Sequence, residues 1–287
     1  MRFSIITALA LTLSCPGAPA ADESGTNPPV FHIDHPGLKK LSWQLLCQAS
    51  IFHELAFTEM VDVLHTNGFH HIELTPGQSI SPDHNGVKIG PDMAPAYLDI
   101  LNAKLKEIHM DIVSYGFVEF GHSEAEARKV FEFAKGLKVK NIVAIPPRDS
   151  LEPLDKLANE YQINVAILNQ PGSAYADSDA LFQATKERST RIGVCADITE
   201  WRRAGQDPVD CVRKLKGRIF EVHLKDSSDP QETATVADVL KELAQQKFKG
   251  AFCVRTEKGS GPELLKNLGA VVNSFSDIVT RLAAAEE

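Results

Sequence analysis

From residue 41 onward one pattern recurs eight times: a short apolar run, a loop, then an amphipathic segment. The apolar runs are Leu41–Cys47, His70–Leu74, Asp111–Tyr115, Asn141–Ile145, Asn164–Leu168, Ile192–Ala196, Ile219–Leu224 and Ala251–Val254. They carry Val, Ile and Phe in near-continuous stretches, as parallel strands buried on both faces do. Between them apolar residues fall at helical spacing: Phe57, Met60, Val61 and Leu64 in one segment, Val236, Val239, Leu240 and Leu243 in another. Gly68, Gly136 and Gly250 stand where such helices should stop. Eight alternations without a dividing linker predict an α/β protein, a single (β/α)8 TIM barrel over residues 40–287. The rival open sheet usually has a glycine-rich turn after its first strand, and QLLCQASIFHE (44–54) offers none.

Upstream, Met1-Arg2, the apolar run Phe3–Leu13 and the small residues Ala18-Pro19-Ala20 read as a signal peptide over residues 1–20. The expected location is therefore exported, periplasmic or secreted. Lipoprotein anchoring at Cys15 is the less favoured reading, because Thr12-Leu13-Ser14 is a poor match to the usual pattern. Residues 21–39 are polar and rich in Pro and Gly and read as a flexible leader. No apolar run reaches the roughly 18 residues that span a bilayer. The formal net charge of −8 and the lack of a basic stripe exclude general attraction to nucleic acid. Cys47, Cys195 and Cys253 lie in apolar runs and read as small buried hydrophobes; with Cys211 their spacing suggests neither a disulfide framework nor a zinc clip.

In such a barrel the site forms at the C-terminal ends of the strands. Those ends supply Gln48, then Glu73 with Gln78, then Asn169 and Gln170, then Asp197, Glu200 and Trp201, then His223, Lys225 and Asp226, and last Arg255 and Glu257. The run RIFEVHLKD (218–226) is the most informative of these: a buried strand ending in a histidine, a lysine and an aspartate. His223, Lys225, Glu73 and Glu257 are the candidate acid–base residues. Asn169, Gln170, Arg255, Gln78 and Trp201 are the candidate substrate contacts, Trp201 as a sugar-stacking ring. Asp197, His223 and Glu200 are the candidate ligands of a divalent ion, which could polarise a carbonyl or hold two sugar oxygens.

HIELTPGQ (71–78), INVAILNQPG (163–172), IGVCADITEW (192–201), VHLKD (222–226) and GAFCVRTE (250–257) together resemble the xylose isomerase-like TIM barrels known as sugar phosphate isomerases/epimerases, in particular an exported bacterial branch. The resemblance covers about residues 40–282 and implies proton transfer between neighbouring sugar carbons, assisted by a divalent metal (Mn, Mg or Zn) at the barrel mouth. It also implies a His-Asn-His where this chain has Leu168-Asn169-Gln170, an Asp-Thr-Gly-His-Trp where it has Asp197 to Trp201, and a Glu-x-Glu where it has Arg255-Thr256-Glu257. Asp197, His223, Lys225, Asp226 and Glu257 match the pattern. Leu168 cannot bind a metal, and a guanidinium at Arg255 would repel one by several kcal/mol at an effective dielectric of about 20. The expectation is a sugar isomerase/epimerase-like protein, or a keto-sugar lyase, with a small carbohydrate partner and no strong metal site. The alternatives are a non-catalytic carbohydrate-binding pseudoenzyme and, third, an endonuclease-like barrel.

Overall fold

The computed structural model describes residues 31–226, 230–256 and 258–285. Eight parallel strands pair in sequence order and close into a barrel: β1 Gln44–Gln48, β2 His71–Leu74, β3 Asp111–Val118, β4 Asn141–Ala144, β5 Asn164–Leu168, β6 Ile192–Asp197, β7 Ile219–Lys225 and β8 Ala251–Arg255. The helices that bear on the site and the seam are α1 His35–Leu41, α2 Phe57–Thr66, α3 Pro95–Glu107, α4 Glu124–Gly136, α5 Leu151–Tyr161, α6 Ser178–Thr185, α7 Ile198–Arg203, α8 Pro208–Lys214, α9 Pro230–Gln245 and α10 Gly261–Ala284. The (β/α)8 barrel expected from the eightfold pattern is thus the observed fold.

Helix starts follow local chemistry. Asp34, Ser123, Asp177, Asp197 and Asp207 each accept a backbone N–H with their side chains at a helix N-terminus, satisfying donors that the first turn leaves unpaired. Phe57, Met60, Val61 and Leu64 are fully buried, as their spacing on α2 requires. Gly68 turns the chain at φ +86° after α2, a conformation that costs glycine nothing.

The expected leader, residues 21–39, is structured at its end. Residues 35–39 belong to α1, where Asp34 caps the first turn and Leu38 and Leu41 enter the core. Leu41 therefore closes a helix rather than opening β1. The signal-peptide and Cys15 readings fall on residues outside those described. Among the described residues no helix is long and apolar enough to cross a membrane. Cys47, Cys195, Cys211 and Cys253 are all buried and free.

Three register shifts interrupt the ladders, one of them between Ile72 and Glu73 on β2. Around Gly116 and Val118 the β3–β4 ladder slips, and Phe117 between them adopts φ +60°. An extra residue of this kind bends a strand and re-aims a side chain. The β6–β7 ladder slips at Val194 and Cys195, after which Asp197 stands opposite His223.

Candidate functional site

The polar residues contributed by the strand ends divide into two levels. The upper level is a cavity of about 430 Å³ in the barrel mouth, lined by Phe117, Leu168, Asn169, Gln170, Asp197, Glu200, Lys225 and Arg255. Its electrostatic centre is Lys225. The ammonium sits 3.1 Å from Asp197 Oδ2 and donates to Glu200 Oε1. Arg255 Nη2 donates to the same Asp197 oxygen at 3.3 Å, and Arg203 reaches Glu200 at 3.1 Å. Asp197 also caps α7 through the Glu200 N–H at 3.2 Å. Asn169 fixes this carboxylate's backbone from both sides: its amide donates to Asp197 O at 2.8 Å and accepts from Asp197 N at 2.6 Å.

The lower level is wholly buried inside the barrel. Residues 221, 223 and 225 alternate to one face of β7, so Glu221 and His223 project beneath Lys225. His223 Nε2 lies 3.1 Å from Glu73 Oε2 and 3.4 Å from Glu221 Oε1. Gln48 donates to Glu73 Oε1 at 2.8 Å, and the Ser114 hydroxyl donates to Glu221 Oε2. Gly116 leaves room for the Glu73 carboxylate: a Cβ there would stand 2.6 Å from its Cδ. Glu73, Glu221, His223 and Cys253 each bring one ligand-type atom to within 4.8 Å of the others.

Burial acts first on every group of this cluster. It pushes Glu221 up to about 7, helped by the Glu73 charge alongside. It also opposes the ionised forms of Glu73 and His223, but each is outweighed. His223 holds Glu73 below the usual carboxylate range, while Cys195 and Glu73 hold His223 well above the usual imidazole range. The signs fix a pH dependence. Glu221 contributes stability fully present below its ordinary 4.5 and lost as pH rises through about 7. His223 works in the same direction, its share present below 6.5 and lost at higher pH. Glu73 works in the opposite direction, its share present above 4.5 and lost as pH falls through its lowered value. In protein kept free of metal by excess chelator, the urea midpoint is therefore expected to fall between about pH 5 and about pH 8, and Glu221→Gln should flatten that fall. An unchanged slope in the variant would rule Glu221 out as its source.

Several expectations need correction. Asp197, Glu200 and His223 do not form one metal site: the first two hold Lys225 and the third turns down to Glu73 and Glu221. The described residues of the mouth do not fit a divalent ion. An ammonium already neutralises both carboxylates, and Leu168 offers no donor. Trp201 is no sugar platform, because it is completely buried in the core under α7. Gln78 points away from the mouth and ties its loop to the carbonyls of Leu55 at 3.0 Å and Phe52 at 3.5 Å. Glu73 and His223 are completely buried beneath the rim and are not among the residues that line the cavity. Glu257 lies outside the described residues.

Gln170 and Arg255 do line the cavity, as expected, and Asn169 lines it with its amide committed to Asp197. Phe117 and Glu221 were not anticipated. For Glu221 the signal was present, since Glu221, His223 and Lys225 alternate within one buried strand. For Phe117 there was none, because its position depends on a bulge.

The chain has the fold of the xylose isomerase-like TIM barrels. Over 82% of its length it superposes on the whole of an uncharacterized protein from Parabacteroides distasonis, at 26% identity and a TM-score of 0.69. A D-tagatose 3-epimerase-like protein matches 85% of the chain over 99% of its own, at 14% identity and a TM-score of 0.61. A xylose isomerase-like TIM barrel protein from Mycobacterium smegmatis, in complex with magnesium, matches 84% of the chain over 99% of its own, at 11% identity and a TM-score of 0.63. No protein-family model and no curated protein matches the sequence.

Proposed function

We propose that the barrel mouth binds a small carbohydrate without a divalent ion, Lys225 and Arg255 standing in for the metal's charge. The observation that carries this is the Lys225 ammonium, ion-paired to both Asp197 and Glu200 at the floor of the cavity. A space of about 430 Å³ has the size of a small-molecule site. Its lining mixes one aromatic face, Phe117, with amide and charged groups that suit hydroxyls and a carbonyl. The likeness to a D-tagatose 3-epimerase-like protein supports a sugar as the ligand class.

Calorimetric titration with a panel of ketohexoses and aldoses tests this reading. Binding is expected to be the same in excess EDTA and to weaken at least about tenfold in Arg255→Ala, a loss of about 1.4 kcal/mol. Binding that requires added Mg²⁺ or Mn²⁺ would overturn it.

One observation favours a second reading, in which the bound sugar also reacts. Glu200 and Lys225 face the cavity as a paired carboxylate and ammonium. Glu200 would take the proton from the carbon next to the sugar carbonyl and return it to a neighbouring carbon. Lys225 and Arg255 would meanwhile hold the enediolate oxygen. Deuterium wash-in at that carbon, lost in Glu200→Gln, would establish this isomerase/epimerase chemistry. Binding without wash-in leaves a carbohydrate-binding pseudoenzyme.

A further inference from the structure

We infer that the buried cluster of Glu73, Glu221, His223 and Cys253 is a zinc site, one layer below the mouth and independent of what the mouth binds. Its donors come from β2, β7 and β8, so three strands converge on one point. The donor set is one imidazole, one thiol and two carboxylates, fully enclosed, with no face open to solvent. A hard ion such as Mg²⁺ prefers six oxygens and retained water, which this chamber does not provide. Four ligands that include sulfur and nitrogen in a closed space are the coordination of a structural tetrahedral zinc.

The spacing fits. Oxygen and nitrogen ligands of a tetrahedral zinc stand about 3.3 Å from one another, given metal bonds of about 2.0–2.1 Å. His223 Nε2 is 3.1 Å from Glu73 Oε2 and 3.4 Å from Glu221 Oε1. The four ligand atoms of the set all lie within 4.8 Å of one another.

A second observation points independently to a ligand. Glu221 Oε1 is completely buried and aimed into the cluster, and its neighbour His223 Nε2, 3.4 Å away, does not close a hydrogen bond to it. A buried acceptor without a closed hydrogen bond is costly, and two adjacent buried carboxylates add repulsion. A divalent ion removes both penalties. The surroundings also supply an outer shell: Gln48 orients Glu73 at 2.8 Å and Ser114 holds the other oxygen of Glu221. Gly116 keeps the space for the Glu73 carboxylate clear.

The test uses the full chain, produced with Zn²⁺ and, separately, loaded with Co²⁺ as a spectroscopic probe. About one zinc per chain is expected, retained through dialysis, with one sulfur in its first shell by X-ray absorption. The cobalt form is expected to show a thiolate-to-cobalt charge-transfer band and tetrahedral d–d bands. Cys253→Ser should abolish the charge-transfer band, while Cys211→Ser, on α8, should leave it intact. Glu221→Gln should weaken zinc binding at least about tenfold, which keeps the proposal falsifiable if the Cys253 variant fails to fold. Less than stoichiometric zinc, a first shell without sulfur, or a band that survives Cys253→Ser would each overturn the assignment. None of these readouts depends on sugar binding, so failure here is distinguishable from failure of the mouth reading.

Discussion

Replacing Asp197 by alanine is expected to cost about 3–5 kcal/mol of stability and to eliminate ligand binding at the mouth. Its carboxylate is shared by two cations, Lys225 at 3.1 Å and Arg255 at 3.3 Å. With the carboxylate gone, the Lys225 side chain, only 4% exposed, keeps Glu200 but faces the Arg255 guanidinium across an empty place. Removing one of the carboxylates that neutralise a buried ammonium costs more than losing a surface ion pair. The same substitution removes the cap of α7, worth a further 0.5–2 kcal/mol or about 1 kcal/mol typically. Asp197→Asn keeps an acceptor for the cap and loses only the charge, so it should fall between wild type and alanine. Urea unfolding of the three proteins checks this order, and an alanine variant within about 0.5 kcal/mol of wild type would show that water already screens the pair.

Glu73→Ala should be comparably severe for a different reason. Glu73 is completely buried and is the partner of both Gln48 and His223. Its removal strands the Gln48 amide donor and takes from His223 its nearest buried partner, at an expected cost of about 3–5 kcal/mol. Glu73→Gln preserves the shape and one hydrogen bond and should recover part of the loss. Because the cluster lies beneath the mouth, any Glu73→Gln protein that folds should bind sugar with near wild-type affinity. Unfolding curves and sugar titrations on the same samples separate the two effects, and a variant that stays stable but loses binding would refute the layered description.

The barrel was legible because eight apolar runs of similar length leave few alternatives. Their boundaries were less so. Leu41 read as the start of a strand but ends α1, since the Asp34 cap acts through side-chain geometry that an apolar count does not register. At the site, the strand-end rule correctly brought Asp197, Glu200, Lys225, Arg255, Asn169 and Gln170 to one cavity. It failed in depth. Glu73 and His223 share an inward face with the mouth residues but stand lower along the barrel axis, and distance along the axis is invisible in a list of strand ends. Cys253 was correctly read as small and buried, yet burial beside two carboxylates gives it different company from a core alanine. Trp201 failed because a residue after a strand can belong to the helix that follows, and α7 turns it into the core.

The seam between β1 and β8 has a consequence for synthesis. Gln44 to Cys47 pair with Ala251 to Val254, Trp43 packs tilted against Phe252 with ring centroids 4.6 Å apart and donates to Phe248 O, and Thr280 on α10 donates to Asp34 ahead of α1. The Trp43–Phe248 bond alone joins residues 205 apart in the chain. At about 5–20 residues per second, a ribosome needs about 10–40 s to deliver β8 after β1. Throughout that interval β1 lacks one neighbour and offers an open row of backbone donors and acceptors to any passing strand. Yield of native protein should therefore depend on how fast translation finishes and on which chaperones cover that first edge meanwhile.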